Sequence, residues 1–193
     1  MSTNTITTNQ QMDHFSGHER IWVFGYGSLI YKADFPYIER RPARIRHWTR
    51  RFWQGSHDHR GTLDAPGRVV TLIPEPDAVC TGMAYLVIPQ VLNHLDTREK
   101  NGYLRFVTDM HLDDGNVAEG LVYIATEDNA AFLGPAPEAD IARQIAASSG
   151  PSGANRDYLT DLAAALRRLG ANDPHVYAIE QHLRDLLQQE QAA

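Results

Sequence analysis

The chain has 193 residues, of which 42% are hydrophobic and 22% charged, and its formal net charge is −6. This composition is typical of a globular domain that is long enough to bury a core. The acidic balance disfavours a nucleic-acid-binding protein, which usually presents a basic face. No apolar run approaches the length that spans a bilayer, and residues 1–18 lack the apolar core of a secretory signal. We therefore expect a soluble, cytoplasmic protein that binds neither nucleic acid nor a membrane.

Cys80 is the single cysteine of the chain. It can form no intramolecular disulfide, which fits a reducing compartment. It lies in a predicted strand, so we expect a buried small apolar side chain and not a nucleophile.

The order of the predicted elements indicates the fold class. Residues 1–19 are polar, and we expect a disordered or loose tail ahead of one domain that spans residues 20–190. Strands come first and helices last, which predicts an α+β fold with helices packed around a small, largely antiparallel barrel or sheet. The predicted strands are 21–24, 43–53, 68–73, 80–88, 104–112 and 117–125, with turns at 74–77 and 113–116. The predicted helices begin at Pro89, Glu138, Asn155 and Pro174, and the first of them ends near Asp96.

The stretch Ile21 to Ile30 is the first candidate site. An apolar run that is typical of a buried strand opens into Gly25-Tyr26-Gly27-Ser28. Glycine allows a ligand to approach the backbone closely, and N–H groups at such a turn can bind an anion. The spacing matches neither a dinucleotide loop, a phosphate-binding P-loop nor a hydrolase elbow. A tight bend without a ligand remains the alternative.

Glu99 is the second candidate, because it lies between two cations, Arg98 and Lys100. In an extended segment these cations would share one face and Glu99 would point to the other. A carboxylate aimed inward is costly unless it is paired or used in chemistry. The alternative is an exposed Arg-Glu-Lys charge cluster.

Two further stretches are weaker candidates. His57-Asp58-His59, with His111 elsewhere, offers metal-ligand side chains, but the spacing matches no known metal motif, so we expect no metal and no cofactor. No serine or cysteine has the setting of a nucleophile with a histidine base. Gly150-Pro151-Ser152-Gly153-Ala154-Asn155 is interpreted as an interhelical turn with Asn155 as a helix cap.

Taken together, these stretches resemble the ChaC-type γ-glutamylcyclotransferases, which act on glutathione. The resemblance covers about residues 20–187, and its motifs occur in the family's order. One departure is Tyr31, where the family often has tryptophan. The matching segments are 23–30, 51–62, 66–72, Arg98-Glu99-Lys100 with Gly102-Tyr103, and 150–153 with Asn155 and Tyr158-Leu159.

The resemblance implies a small mixed barrel-like α+β fold. It implies that a γ-glutamyl amide is cleaved by its own α-amine, giving 5-oxoproline and, from glutathione, cysteinylglycine. Glu99 aligns with the family's catalytic glutamate, and Tyr26-Gly27-Ser28 would bind the γ-glutamyl group through main-chain and serine contacts. The implied partner is the small-molecule substrate, and we expect a monomer or weak dimer. The implied substrate-binding residues are Val23, Phe24, Gly25, Tyr26, Gly27, Ser28 and Leu29.

This chemistry agrees with the residues. Because the nucleophile belongs to the substrate, no protein nucleophile is needed, and one carboxylate can take and return the proton. Two alternatives stay open: a cyclotransferase for other γ-glutamyl amino acids or amines, and a non-catalytic regulatory protein that binds through the same pocket.

Overall fold

The computed structural model describes residues 4–192, which form two compact units. The first unit comprises residues 4–49 and 72–130, and the second comprises residues 50–71 and 131–192. Two long strands, β2 (Glu39–Ser56) and β3 (Gly67–Val87), contribute residues to both units. The prediction of a single domain over residues 20–190 stays a prediction.

A closed five-stranded barrel is built from β1 (Ile21–Gly25), β2, β3, β4 (Tyr103–Leu112) and β5 (Val117–Ala125), in the order β1-β3-β2-β4-β5. Its pairs are antiparallel in β1–β3, β2–β4 and β4–β5, and β1 closes the barrel by pairing in parallel with β5. Closure removes the open edges that an antiparallel sheet would otherwise expose. The predicted α+β fold with a small barrel is confirmed.

The β4–β5 hairpin forms where the sequence predicts it. Tyr103 pairs with Ala125 at one end and His111 with Val117 at the other. Gly115, in the turn, has a φ of 87°, a conformation that glycine adopts without steric cost.

Strand β3 differs from the prediction of two strands separated by a turn at 74–77. It is one strand, and Pro74 and Pro76 lie exposed in its middle. A strand tolerates proline where the missing N–H would face away from a partner. On the side of β1 the ladder of β3 covers Met83–Val87, so both prolines lie outside that ladder.

The first unit also contains helices α1 (Ile6–Gln10) and α2 (Val91–Arg98). Val91, Leu92 and Leu95 are buried, and they join the apolar cluster that also includes Val23 and Tyr85. None of the helices within residues 4–192 is both long enough and apolar enough to span a membrane.

The N-terminal segment makes defined contacts over the residues that the structure describes, and the loose tail over residues 1–19 stays a prediction. Residues 1–3 lie outside the described part of the chain. Asn9 of α1 is 2% exposed, and Met12 and Phe15 pack against the apolar cluster of the first unit. The composition of residues 4–18 is polar, but the segment is held by hydrogen bonds, which the hydrophobic pattern does not indicate.

The second unit is mainly helical, with α3 (Glu138–Ala147), α4 (Asn155–Arg168) and α5 (Pro174–Ala192). These three helices pack on one another. Two-residue strands, β6 (Ser149–Gly150) and β7 (Gly153–Ala154), form the turn between α3 and α4. These helices confirm the predicted starts, and each helix buries an apolar stripe. The stripe residues with no exposed surface include Ile141, Ile145, Leu159, Leu162, Leu166, Val176 and Ile179.

Asn155 has a different role from the predicted helix cap. It is the first residue of α4, and Ala154 occupies the cap position without a side-chain hydrogen bond. The Asn155 carboxamide instead donates to the carbonyl oxygen of Arg68 at 2.8 Å and accepts from the Arg68 N–H at 2.8 Å. The side chain therefore pairs with the backbone of β3 as another strand would.

Candidate active site

Strand β1 leads directly into the Gly-Tyr-Gly-Ser turn. Val23 and Phe24 are 0% and 1% exposed, so both residues of the strand end are buried. A Cβ built on Gly25 would lie 2.6 Å from the Cβ of Leu29. Glycine at position 25 therefore lets the chain fold back tightly after the strand.

Two tyrosine hydroxyls fix this turn to the barrel. Tyr26 donates to the carbonyl oxygen of Tyr123 in β5 at 2.6 Å, and Tyr85 in β3 donates to the carbonyl oxygen of Leu29 at 2.5 Å. Burial raises the pKa of Tyr85, which keeps the hydroxyl in the form that donates. The turn is therefore anchored at both ends.

The turn presents a row of backbone donors. Ser28–Ile30 form one turn of 3₁₀ helix, closed by the bond from the Ile30 N–H to the Gly27 carbonyl at 3.0 Å. Within residues 4–192, the N–H groups of Gly27, Ser28 and Leu29 donate to no other protein atom. Consecutive N–H groups at the start of a helical turn form a site suited to a carboxylate or an oxyanion.

Glu99 lies at the C-terminal end of α2, where its N–H donates to the Leu95 carbonyl at 2.8 Å. The segment is thus helical up to Arg98 and not extended, so the condition under which Glu99 would point away from Arg98 is not met. The helix dipole disfavours a carboxylate at this end, so helix stability does not account for a glutamate here.

The neighbourhood of Glu99 is not the exposed charge cluster of the alternative interpretation. The side chains of Arg98 and Glu99 are 14% and 17% exposed, and Arg98 Nε lies 3.4 Å from Glu99 Oε1. A half-buried carboxylate with some remaining exposure can meet a ligand and is shielded from most of the water.

Arg98 joins the turn to Glu99. Its Nη2 donates to the Ser28 hydroxyl at 2.7 Å, and its Nη1 donates to Asp34 at 2.5 Å. The structure therefore brings together two stretches that lie 70 residues apart in the sequence. Sequence reasoning named Arg98 only as a neighbour of Glu99 and missed this link.

Asp34 completes the ionic cluster around Arg98, and His94 lies 3.2 Å from its carboxylate. Burial raises the pKa of Asp34, but the Arg98 guanidinium and His94 outweigh burial, so the net pKa shift is downward. Asp34 consequently stays ionised and keeps the guanidinium in place. Its sequence neighbours contain no signal that would have identified it.

A buried polar cluster supports α2 from the barrel side. Asp96 has no exposed surface, accepts from Arg105 Nε at 2.9 Å and Nη2 at 2.5 Å, and accepts from the Tyr123 hydroxyl at 2.8 Å. Burial also raises the pKa of Tyr123, so this hydroxyl stays a donor. An aspartate that directly follows the apolar Leu95 is the sequence signal that could have identified this cluster.

The weaker candidates lie in other surroundings. His59 Nδ1 lies 3.0 Å from the Ser152 hydroxyl, and His59 Nε2 lies 3.5 Å from Asp58. His111 is in β4, opposite Arg44. Over residues 4–192, no three His, Cys, Asp or Glu side chains form a group that could hold a metal ion. Metal independence itself stays a prediction for experiment.

The Glu99 site offers two chemical capacities at once. The backbone donors and the Ser28 hydroxyl can hold and orient an anionic or carbonyl group. The Glu99 carboxylate can accept a proton and return it to a second atom of the same ligand. This combination suits an internal rearrangement of a ligand that carries its own nucleophile.

Comparison with known proteins gives consistent matches. A γ-glutamylcyclotransferase of Arabidopsis thaliana, named 2-3, is 48% identical over 179 residues and covers 86% of this chain and 90% of its own length. The glutathione-specific γ-glutamylcyclotransferase 1 of Homo sapiens is 40% identical over 171 residues, with 83% of this chain and 77% of its own length aligned.

A crystal structure of a yeast γ-glutamylcyclotransferase specific to glutathione is also similar. It superposes with a TM-score of 0.82 at 35% identity, over 87% of this chain and 97% of its own. The family model described as ChaC-like protein matches residues 21–186. Because that match spans most of the chain and agrees with the similar proteins, the chain belongs to the ChaC-like family.

Proposed function

We propose that this protein is a glutathione-specific γ-glutamylcyclotransferase, which converts glutathione into 5-oxoproline and cysteinylglycine. The names of relatives at 40% and 38% identity, from Homo sapiens and Saccharomyces cerevisiae, support glutathione as the substrate. The observation that carries the proposal is the bond from Arg98 to Ser28. It connects the turn and its backbone donors to Arg98, whose side chain also lies against Glu99.

In the proposed reaction the α-amine of the γ-glutamyl group attacks the γ-carbonyl carbon. A C–N bond forms within the five-membered ring, and the amide C–N bond to the cysteinyl nitrogen breaks. Glu99 takes one proton from the substrate ammonium group, and the free amine that results attacks the carbonyl. Glu99 then gives this proton to the leaving nitrogen, and the second proton that the attacking nitrogen loses on becoming the lactam passes to the released amine or to water, so the carboxylate is regenerated. General acid–base help of this kind typically contributes about 10²–10⁴-fold.

The turn would hold the γ-glutamyl chain in a bent conformation. The N–H groups of Gly27, Ser28 and Leu29 suit either the α-carboxylate of the substrate or the oxyanion that develops on the γ-carbonyl. Val23, Phe24 and Gly25 shape the floor beneath them, and Tyr26 anchors the turn to the barrel. Arg98 acts as a positioning residue, because it holds the Ser28 hydroxyl and lies against Glu99.

The test is to incubate the purified protein with reduced glutathione and measure 5-oxoproline and cysteinylglycine. We expect the two products in equal amounts and much slower turnover of γ-glutamylalanine. Comparable turnover of both substrates would assign the chain to the broader cyclotransferase class. Binding of glutathione without any product would favour the regulatory binding protein.

We also propose that the enzyme needs no metal or organic cofactor and works in the cytoplasm as a monomer or weak dimer. The proposed chemistry supports the first point, since neither an electron transfer nor an external nucleophile is involved. Light scattering during size-exclusion chromatography tests the oligomeric state, and localisation of the tagged protein in cells tests the compartment.

A further inference from the structure

The N-terminal segment is bonded to the connection that follows Glu99. The Thr5 N–H donates to the Lys100 carbonyl at 2.9 Å, and the Thr5 hydroxyl donates to the same oxygen at 3.2 Å. Asn4 forms a β-bridge with Asn101. Residues 4–5 thus hold the backbone of the first two residues after Glu99.

Asn9 continues this anchoring into β4. Its carboxamide nitrogen donates to the Tyr103 carbonyl at 3.0 Å, and its carboxamide oxygen accepts from the Arg105 N–H at 2.9 Å. It is the only buried residue of α1. An apolar side chain would suffice to cover a surface, whereas a carboxamide with two directed bonds fixes the position of the backbone that it contacts.

This anchoring comes from outside the family match, which begins at Ile21. The segment is nonetheless attached to the first unit, because Met12 and Phe15 pack against its apolar cluster. The chain therefore uses residues ahead of the family domain to fix the connection that carries the proposed catalytic residue.

We propose that Asn9 is a positioning residue for Glu99, an inference that rests on the proposed function. Glu99 is held by Arg98 on one side, and the connection Lys100–Gly102 leads from it to β4 on the other. Gly102 has a φ of 92°, so this connection follows a path that few residues would keep unaided. A shift of roughly 1 Å in a reacting group can cost about 10²-fold in rate.

The experiment compares wild-type protein with Asn9→Leu and Asn9→Asp, using kcat and KM for glutathione and amide hydrogen exchange of residues 100–105. Leucine has similar size but makes neither bond, and we expect kcat to fall about tenfold, with KM within about twofold of wild type. Aspartate can still accept from the Arg105 N–H, but its second carboxylate oxygen would face the Tyr103 carbonyl oxygen and repel it, so kcat should fall at least as far as in Asn9→Leu. Exchange should accelerate in both variants.

Two control variants separate positioning from stability. Gln10→Ala changes an exposed neighbour on α1 and should leave kcat unchanged. Ile179→Val removes a methylene from the buried face of α5, which lowers the thermal midpoint and should not change kcat at a temperature where the protein is folded.

The outcomes are distinct. A folded Asn9→Leu protein with wild-type kcat would overturn the proposal, even if its thermal midpoint were lower, because Asn9 would then only stabilise the fold. If Asn9→Leu does not fold, Asn9→Asp decides by the same measurements. If the wild type itself releases no 5-oxoproline, the proposed function fails, and faster exchange of residues 100–105 then decides whether Asn9 holds this segment.

Discussion

The Glu99 region of the first unit and the Asn155 region of the second both depend on polar side chains, but they expose them differently. Arg98 and Glu99 keep 14% and 17% of their side chains exposed. Arg98 bonds to a turn whose Gly27, Ser28 and Leu29 N–H groups have no acceptor among residues 4–192. Asn155 has no exposed surface, and both ends of its carboxamide are satisfied by Arg68. Polar groups that are fully enclosed and fully paired stabilise the fold, whereas partly open ones can exchange a protein partner for a ligand.

The same contrast holds for charged pairs. In the second unit Arg50 donates to Asp173 at 2.6 Å with only 2% of its side chain exposed. Asp173 also accepts from the Val176 N–H at 3.1 Å and so caps α5. The ion pair and the helix cap account for the burial of both side chains, so we propose no catalytic role for them. The predictions below test whether the contrast separates catalysis from stability.

The largest expected effect is that of Glu99→Gln. Glutamine has nearly the same shape but cannot accept the ammonium proton, so 5-oxoproline release should fall at least about 10²-fold. Glu99→Asp should also lose most activity, because shortening the side chain displaces the carboxylate by roughly 1 Å. Glutathione binding and circular dichroism should stay near wild type.

Glu127→Gln is the matched control, since Glu127 is exposed at the start of a loop. Its kinetics should equal those of the wild type. A folded Glu99→Gln protein that releases 5-oxoproline at the wild-type rate would show that the proposed mechanism is wrong.

Asn155→Ala should reduce stability strongly. It leaves the N–H and the carbonyl of Arg68 buried without their partner, which should lower the free energy of unfolding by about 2–4 kcal/mol. Urea unfolding measures this change, and exposed Asn172→Ala provides the comparison, with an expected loss below about 0.5 kcal/mol. Equal losses in the two variants would remove the distinction drawn for Asn155.

Arg98→Ala tests the link between the turn and Glu99. Loss of its bonds to Ser28 and Asp34 should lower kcat/KM about tenfold, the equivalent of one charge-assisted hydrogen bond. Arg98→Lys should retain only part of the activity, because the lysine ammonium lacks the planar set of N–H donors with which the guanidinium bonds Ser28 and Asp34 together. Arg143→Ala, on the exposed surface of α3, should have no effect on kcat/KM.

His175 predicts a moderate dependence of stability on pH. Burial and, to a smaller extent, Arg51 lower its pKa, while Asp173 and Glu138 oppose them. Its Nε2 also accepts from the Phe52 N–H at 3.0 Å, which requires the neutral ring. Just below pH 6.5 the unfolded chain therefore binds more protons at this histidine than the folded chain does. The contribution of His175 to the free energy of unfolding should be fully present above pH 6.5 and should decrease as the pH is lowered below that value.

Urea unfolding between pH 7.5 and 5.5 measures this effect against His175→Gln, whose amide oxygen can still accept from Phe52. The variant should lose less stability than wild type as the pH falls. Parallel curves for the two proteins would contradict a role of His175 in the pH dependence.

The smallest expected effect is that of a chelator. Replacing His57, Asp58 and His59 with alanine should leave the rate of 5-oxoproline release unchanged, and EDTA should leave the wild-type rate unchanged. Inactivation by EDTA that is reversed by a divalent ion would overturn the prediction of metal independence.

The fold was predictable where one period dominates the sequence. The β4–β5 hairpin and helix α4 follow from alternation and from helical spacing, and both were found at the predicted positions. The continuous strand β3 was not predictable, because Pro74 and Pro76 signal a turn unless the pairing of neighbouring strands is known.

The site was predictable as a set of residues and not as a network. The glycines of the turn and the position of Glu99 between two cations identified them as separate candidates. The family resemblance assigned both to one site. The contact of Arg98 with Ser28, and the bonds of Asn9, depend on tertiary structure that no local pattern encodes. Polar contacts between distant segments carry no periodic signal, so the sequence revealed the candidates and only the structure revealed how they are held.

The exposed middle of β3 has a consequence for solubility. An open strand edge can recruit the edge of another molecule and start aggregation. Pro74 and Pro76 have no backbone N–H to offer to another strand, and the exposed Glu75 and Asp77 add negative charge. A strand from another molecule would find few donors in this segment and would meet two carboxylates, so the residues that indicated a turn also make this exposed part of β3 a poor site for intermolecular pairing.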